Sequence, residues 1–184
     1  ASDGDDAYPK STFSKYGSVK NTGSYSFTIY RVFLPIDTQA IPDDATIDSA
    51  TLFFYQTESP ALDASGTPTY YLVNTSQANT DTLTTADYDE CGPVDNPDTG
   101  GNVSIPVETS AWYNISLNST GLAWINKKGN TTLGIRDKAD VLDDYSEVLT
   151  NDDDNLPPYI NFKESSNKEP YLNVTYTPAS GSPL

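Results

Sequence analysis

Histidine is absent from this sequence of 184 residues, and so is methionine; cysteine occurs once, and 10 basic residues face 26 acidic ones. Each scarcity excludes something. Without histidine there is no imidazole base, no His-ligated zinc, and neither a Ser-His-Asp triad nor a Cys-His pair. Cys91 alone cannot close an intramolecular disulfide, which leaves a part-buried thiol or a covalent link to another chain. A formal charge of −16 and a pI near 4.1 set the surface against phosphate backbones and anionic lipid heads, so nucleic acid and membrane surfaces are poor partners. No apolar run approaches the roughly 18 residues a spanning helix needs, and no membrane insertion is expected. The catalytic option that remains is a pair of carboxylates of the glycosidase kind. None of the acids falls in a recognisable cleft motif, so the chain reads as a non-enzyme. Divalent cations, glycans and other proteins stay open as partners.

What is abundant is Thr, Ser, Asn, Asp and Tyr, with hydrophobic residues at only 36%. That mixture suits short strands with polar outer faces. Alternation marks them one after another. In "SATLFFYQT", Ala50, Leu52 and Phe54 fall on one side, with Thr51, Phe53 and Tyr55 on the other. Further strands are read at "TYYLVNT", "NVSIPV", "WYNISL", "TTLGIRD", "YINFK" and "YLNVTYT", while "IYRVFLPI", apolar on both faces apart from Arg31, reads as one central strand. Thr82 or Thr84 offers a cap for one helical turn ending near Gly92. "NSTGLAWINKKGN" is the one convincing helix: Asn118 or Ser119 caps it, Leu122 and Ile125 form its apolar stripe, Lys127 and Lys128 complement its C-terminal dipole, and Gly129 offers a left-handed stop. The acidic stretch 137–154 reads as mostly a long loop. The expected fold is all-β, a jelly-roll-like antiparallel β-sandwich with one short helix. Residues 24–177 form the sandwich, 1–23 an extended N-terminal arm and 178–184 a tail.

The succession "YRVFLPIDTQAIPDDATIDSATLFFY", "WYNISLNSTGLAWINKKGNTTLGIRD" and "KEPYLNVTYTP" resembles the DNRLRE or disaggregatase-related β-sandwich modules of secreted bacterial and archaeal proteins. Ala45 to Leu52, Trp124, Gly134 to Arg136 and Pro170 to Tyr176 carry the likeness, which covers residues 24–177. It implies an accessory, adhesive or carbohydrate-associated part and points to no catalytic residue. Physically the connector makes sense alone: Pro42 stops the preceding segment, Asp43 and Asp44 cap the turn, and Ile47 and Ala50 drop into the core.

Several residues are candidates for sites. Acidic clusters at Asp3, Asp5 and Asp6, at Asp137, Asp140, Asp143 and Asp144, and at Asp152 to Asp154 could be solvated charge or ligands of a structural Ca2+; the middle cluster is the best candidate, although no cofactor is required. Tyr70, Tyr71, Trp112, Tyr145 and Tyr159 could stack sugars, against the plainer reading of strand and core filling. Asn74, Asn102, Asn114, Asn118, Asn130 and Asn173 each open an Asn-X-Ser/Thr sequon. With the start at Ala1, as in a mature form after signal cleavage, they point to an extracellular, glycosylated protein. The arm, at roughly 3.3 Å per extended residue, reaches a neighbouring sheet edge. The leading expectation is therefore a non-catalytic structural or adhesive protein of the cell surface, a filament subunit joined by strand addition into a homopolymer. The alternative is a carbohydrate-binding module of a larger secreted protein.

Overall fold

The computed structural model describes residues 13–15, 17–21, 26–57, 67–106, 110–144, 146, 149–151, 159–161 and 167–179. Among the described residues there are twelve strands: β1 (Phe13–Lys15), β2 (Gly17–Asn21), β3 (Ser26–Tyr30), β4 (Val32–Asp37), β5 (Thr46–Thr57), β6 (Thr69–Asn74), β7 (Gly101–Ser104), β8 (Ala111–Ser116), β9 (Asn130–Asp137), β10 (Leu149–Asn151), β11 (Tyr159–Asn161) and β12 (Tyr171–Thr177). The described residues also form two short helices, α1 (Ser119–Ala123) and α2 (Lys138–Leu142), and a 3-10 segment, Thr85–Glu90.

The longest strand, β5, organises one sheet. It pairs with β12 over Thr46–Phe53 and with β11 at Gln56–Thr57, while β8 pairs with Thr51–Gln56. Residues shared between partners place β12 and β11 along one side of β5 and β8 along the other; β1 pairs outside β11. A second sheet runs β4-β9-β6-β7, and a third β10-β2-β3, in which β10 and β2 form the one parallel pair among the described strands. Period-two alternation does what was expected of it. Leu52 and Phe54 of β5 and Ile115 of β8 face Val32 and Leu34 of β4, Tyr70 and Leu72 of β6, and Leu133 and Ile135 of β9 in one buried cluster. The all-β sandwich expected from the sequence is the observed architecture. Each fully buried Leu, Ile or Phe contributes about 1.5–3 kcal/mol, so this interface between sheets is the main stabilising term.

The connector closes this core at one end. Ala45 N–H donates to Pro42 O at 3.0 Å, and Ile41, Ala45 and Ala50 are buried with Ile47 packed against them. Lys127 reaches across to it, donating from Nζ to Ala45 O at 2.8 Å and also to Asp43 O. It therefore serves the connector and not the dipole of α1. That helix ends at Ala123, capped at its start by Asn118, whose Oδ1 accepts from Gly121 N–H at 3.0 Å. Gly129 is not among the residues with positive φ, so the expected left-handed stop is not used. Thr84 stands at the N-cap of the 3-10 segment as expected, but the bonding carboxylate is that of Asp87, which accepts from Thr84 N–H at 2.7 Å and from its hydroxyl at 3.0 Å.

Three further expectations are corrected. "IYRVFLPI" is not one central strand: β3 and β4 part at Arg31 and enter different sheets, because the Arg31 side chain turns into a buried ion cluster. The acidic stretch is not wholly loop, since Asp137 closes β9 and opens a second helix, α2. Residues 13–15 and 17–21 are not a free arm; they pair as β1 and β2 with β11, β3 and β10 of the same chain. Residues 1–12 lie outside the described residues.

Candidate functional site

Strand parity turns the odd residues of β5 outward. Register then sets Trp112 of β8 beside Tyr55, and sets Asn114 of β8 and Tyr171 of β12 on either side of Phe53. The four rings make a continuous patch. Phe53 and Tyr171 stack with centroids 4.9 Å apart and planes 9° from parallel. Trp112 meets Tyr171 edge-on at 5.8 Å and Tyr55 edge-on at 5.7 Å. Lys168 Nζ lies 3.8 Å from the Tyr55 ring centroid, a cation over a π face. Trp112 stays 43% exposed and Tyr171 48%. Rings of this size usually go inside, so an outward-facing cluster of them marks a contact surface. Its border is polar: Asn114, Ser116, Asn173 and Thr175 are exposed on the same face.

Of the residues expected to stack sugars, Trp112 stands in this patch. Tyr70 does not, and is corrected: it is 1% exposed, a core residue lying beneath Gly17, because the inward parity of β6 falls on it. Tyr71 is half-buried on the other sheet, between Asn102 and Arg136 in register. Tyr145 lies outside the described residues, and of Tyr159 only the backbone, in β11, is described. Phe53, Tyr55 and Tyr171 were missed. The alternation of "SATLFFYQT" and "YLNVTYT" already turned them outward, but only the register brings them to Trp112.

The middle acidic cluster forms no common centre. Asp140 is clamped by two arginines. Arg31 donates to it from Nε at 2.8 Å and from its terminal nitrogen at 2.7 Å, and Arg136 donates from Nε at 2.7 Å and from its terminal nitrogen at 3.0 Å. Side-chain exposure is 3% for Arg31, 0% for Arg136 and 4% for Asp140. The remaining guanidinium donors reach backbone carbonyls: Arg31 that of Tyr88 at 2.8 Å, Arg136 those of Pro93 at 2.7 Å and Val94 at 3.0 Å. Arg31 also lies 4.0 Å from the Tyr88 ring centroid. Burial pushes the Asp140 carboxyl up, but the two guanidiniums outweigh it and hold it below the usual carboxylate range. Asp137 instead caps α2, accepting from Asp140 N–H at 3.0 Å, and burial raises its carboxyl. Asp143 takes a left-handed backbone at the end of α2, and exposed Asp144 pairs with Lys138 at 2.9 Å. Asp137, Asp140 and Asp144 thus have separate partners, and among the described residues no group of three or more metal-ligating side chains gathers. Asp3, Asp5, Asp6 and Asp152 to Asp154 lie outside the described residues. Arg31 and Arg136 were missed as a pair; an arginine inside each of two apolar strand runs was the available signal.

Cys91 is fully buried, and burial pushes its thiol up to about 12. That corrects the alternative of a covalent link to another chain, which needs an accessible thiolate. Comparison with protein-family models and with curated proteins finds no match. The six sequon asparagines differ in setting. Asn74, Asn102, Asn114 and Asn173 are exposed on strands, Asn130 is half-buried at the start of β9, and Asn118 is committed at both ends of its amide, its Nδ2 donating to Thr99 O at 2.9 Å.

Proposed function

We propose that this chain is a non-catalytic structural or adhesive building block of the extracellular space, a DNRLRE-like sandwich joined to its neighbours by strand addition. The observation that carries the reading is the edge of β12. One side of this strand pairs with β5, and no described strand pairs with the other. Its sequence, "YLNVTYT", holds no charge, proline or glycine, the usual devices that keep an edge from pairing. A register shift falls only between Thr175 and Tyr176, so Tyr171–Thr175 form a regular acceptor. Backbone pairing also suits a chain of charge −16, because it needs no charge complementarity. Residues 13–15 and 17–21 are used within the chain's own sheets, so the donor is the segment 1–12, about 40 Å if extended. The role requires no cofactor.

Electron microscopy of the purified full chain tests this. Filaments are expected, and deletion of residues 1–12 should leave folded monomers with an unchanged unfolding curve. A full chain that stays monomeric at high concentration rules the reading out.

The aromatic patch supports a second reading, a carbohydrate-binding module. Rings on the outer face of a sheet, bordered by asparagines, match the apolar faces and hydroxyls of a pyranose. Glycan binding lost in Trp112→Ala, with folding intact, is the result that favours it.

A further inference from the structure

We infer that the sugar held by the aromatic patch is the chain's own: N-linked glycans on Asn114 and Asn173, each with its first pyranose packed on the ring two residues earlier. The inference rests on the extracellular reading and names the occupant of the patch. Of the six sequons, two have an aromatic residue at the second position before the asparagine: "WYN" at 112–114 and "YLN" at 171–173. On a strand, that spacing puts both side chains on the same face, roughly 6.8 Å apart along the chain. The structure bears out this geometry in both cases. Trp112 and Asn114 are exposed together on β8, and Tyr171 and Asn173 on β12. The two strands flank β5 on either side and run in the same direction, so the sequons stand side by side on one surface.

The other four lack this arrangement. Leu72, two before Asn74, is buried, and Gly100, two before Asn102, has no side chain. Asn118 follows Ser116 and spends its amide on capping α1, and Asn130 follows Lys128. The patch and the two acceptors therefore explain each other. An exposed ring cluster of this kind is an aggregation hazard. A pyranose attached within reach covers it with a surface whose underside is apolar and whose rim is hydroxylated.

The modification needs a lipid-phosphate-linked oligosaccharide as donor and the host's membrane-bound transferase as catalyst. The asparagine Nδ2 attacks the anomeric carbon of the first sugar. A C–N bond forms, the anomeric C–O bond to phosphate breaks, the lipid phosphate leaves with its electron pair, and the amide gives up one proton to base. No electrons change hands otherwise.

The test secretes the full chain from a glycosylating eukaryotic host and maps glycopeptides by mass spectrometry. Sugar is expected on Asn114 and Asn173 and is lost singly in Ser116→Ala and Thr175→Ala, which remove the sequon and keep the asparagine. Enzymatic removal of the glycans should lower the unfolding midpoint by roughly 2–4 °C. In Trp112→Ala that difference should shrink, which a merely solubilising glycan would not show. Absence of sugar from both asparagines overturns the inference, whatever the other four carry. So does binding of free glycans by unmodified bacterial protein with no change on deglycosylation of the secreted form, since the patch then takes sugars from outside. Because the host supplies secretion, either result leaves the extracellular reading and the strand-addition reading standing.

Discussion

Replacing Asp140 by asparagine should be among the most damaging single changes in this protein, although it preserves the shape of the side chain. In the native cluster one carboxylate accepts four charge-assisted hydrogen bonds from two guanidiniums, all three side chains being less than 5% exposed. The amide keeps one acceptor oxygen, removes the counter-charge, and aims an NH2 donor at guanidinium donors. Removing one partner of a buried ion pair typically costs about 3–5 kcal/mol. Here two cations lose the same partner, but the carbonyls of Tyr88, Pro93 and Val94 retain part of their solvation. About 3–5 kcal/mol is therefore the expected loss, out of a total stability on the order of 5–15 kcal/mol. With an m-value of about 2 kcal/mol/M, the urea midpoint should fall by roughly 1.5–2.5 M. Replacing all three residues by apolar ones of similar volume should cost less than Asp140→Asn alone, because no unpaired charge remains. The pH dependence gives a second check. The Asp140 carboxyl is depressed in the fold, so its contribution is present above the unfolded value near 4 and is lost as pH falls below it. Asp140→Asn should lack that acid limb. A shift within about 0.5 kcal/mol, with m unchanged, would refute the reasoning and make the cluster incidental to stability.

Three other outcomes follow from the same geometry. Gly134→Ala should destabilise by about 1–3 kcal/mol in urea unfolding, since a Cβ there would lie 2.6 Å from Cys91 Sγ and 2.7 Å from Thr75 Cγ2. Cys91 should resist a thiol-specific chromogenic reagent in the folded protein and react fully once the chain is unfolded, as a buried thiol raised to about 12 must. Asp137→Asn keeps an acceptor for Asp140 N–H but cannot ionise. Burial raises the native carboxyl, so ionising it costs stability as pH climbs from near 4 through the folded value; the variant's stability relative to the native chain should rise across that window and level off above it.

How much of this was legible before folding depends on whether the information was local. The two faces of "SATLFFYQT", the outward Tyr171 and Asn173 of "PYLNVTY", and the caps at Thr84 and Asn118 were all readable, because each rests on a period or on a neighbour three residues away. The division of "IYRVFLPI" was not. An apolar run looks the same whether it stays in one sheet or changes sheets, and the cause of the change, Asp140, lies 109 residues away. The buried aspartates looked like solvated loop for the same reason: nothing within a few residues shows that Arg31 will arrive. Tyr70 and Tyr71 were indistinguishable as neighbours in one strand, since which of them faces the core depends on where the second sheet lies. Trp112 could be singled out, but its companions come from two other strands, and pairing register is a property of the assembled sheet.

The separation of 109 residues between Arg31 and Asp140 has a consequence for how the protein is made. A polypeptide leaving the ribosome or a translocation pore does so from its N-terminus, so the first guanidinium emerges long before the carboxylate that neutralises it. β5 waits longer still for β12, the last of the described strands. Until most of the polypeptide is out, neither sheet can seal against the other. Contacts spread this widely along a chain form slowly. Such a molecule stays threadable while it is being made and sets only late, much as a two-part resin cures only once both components have been dispensed.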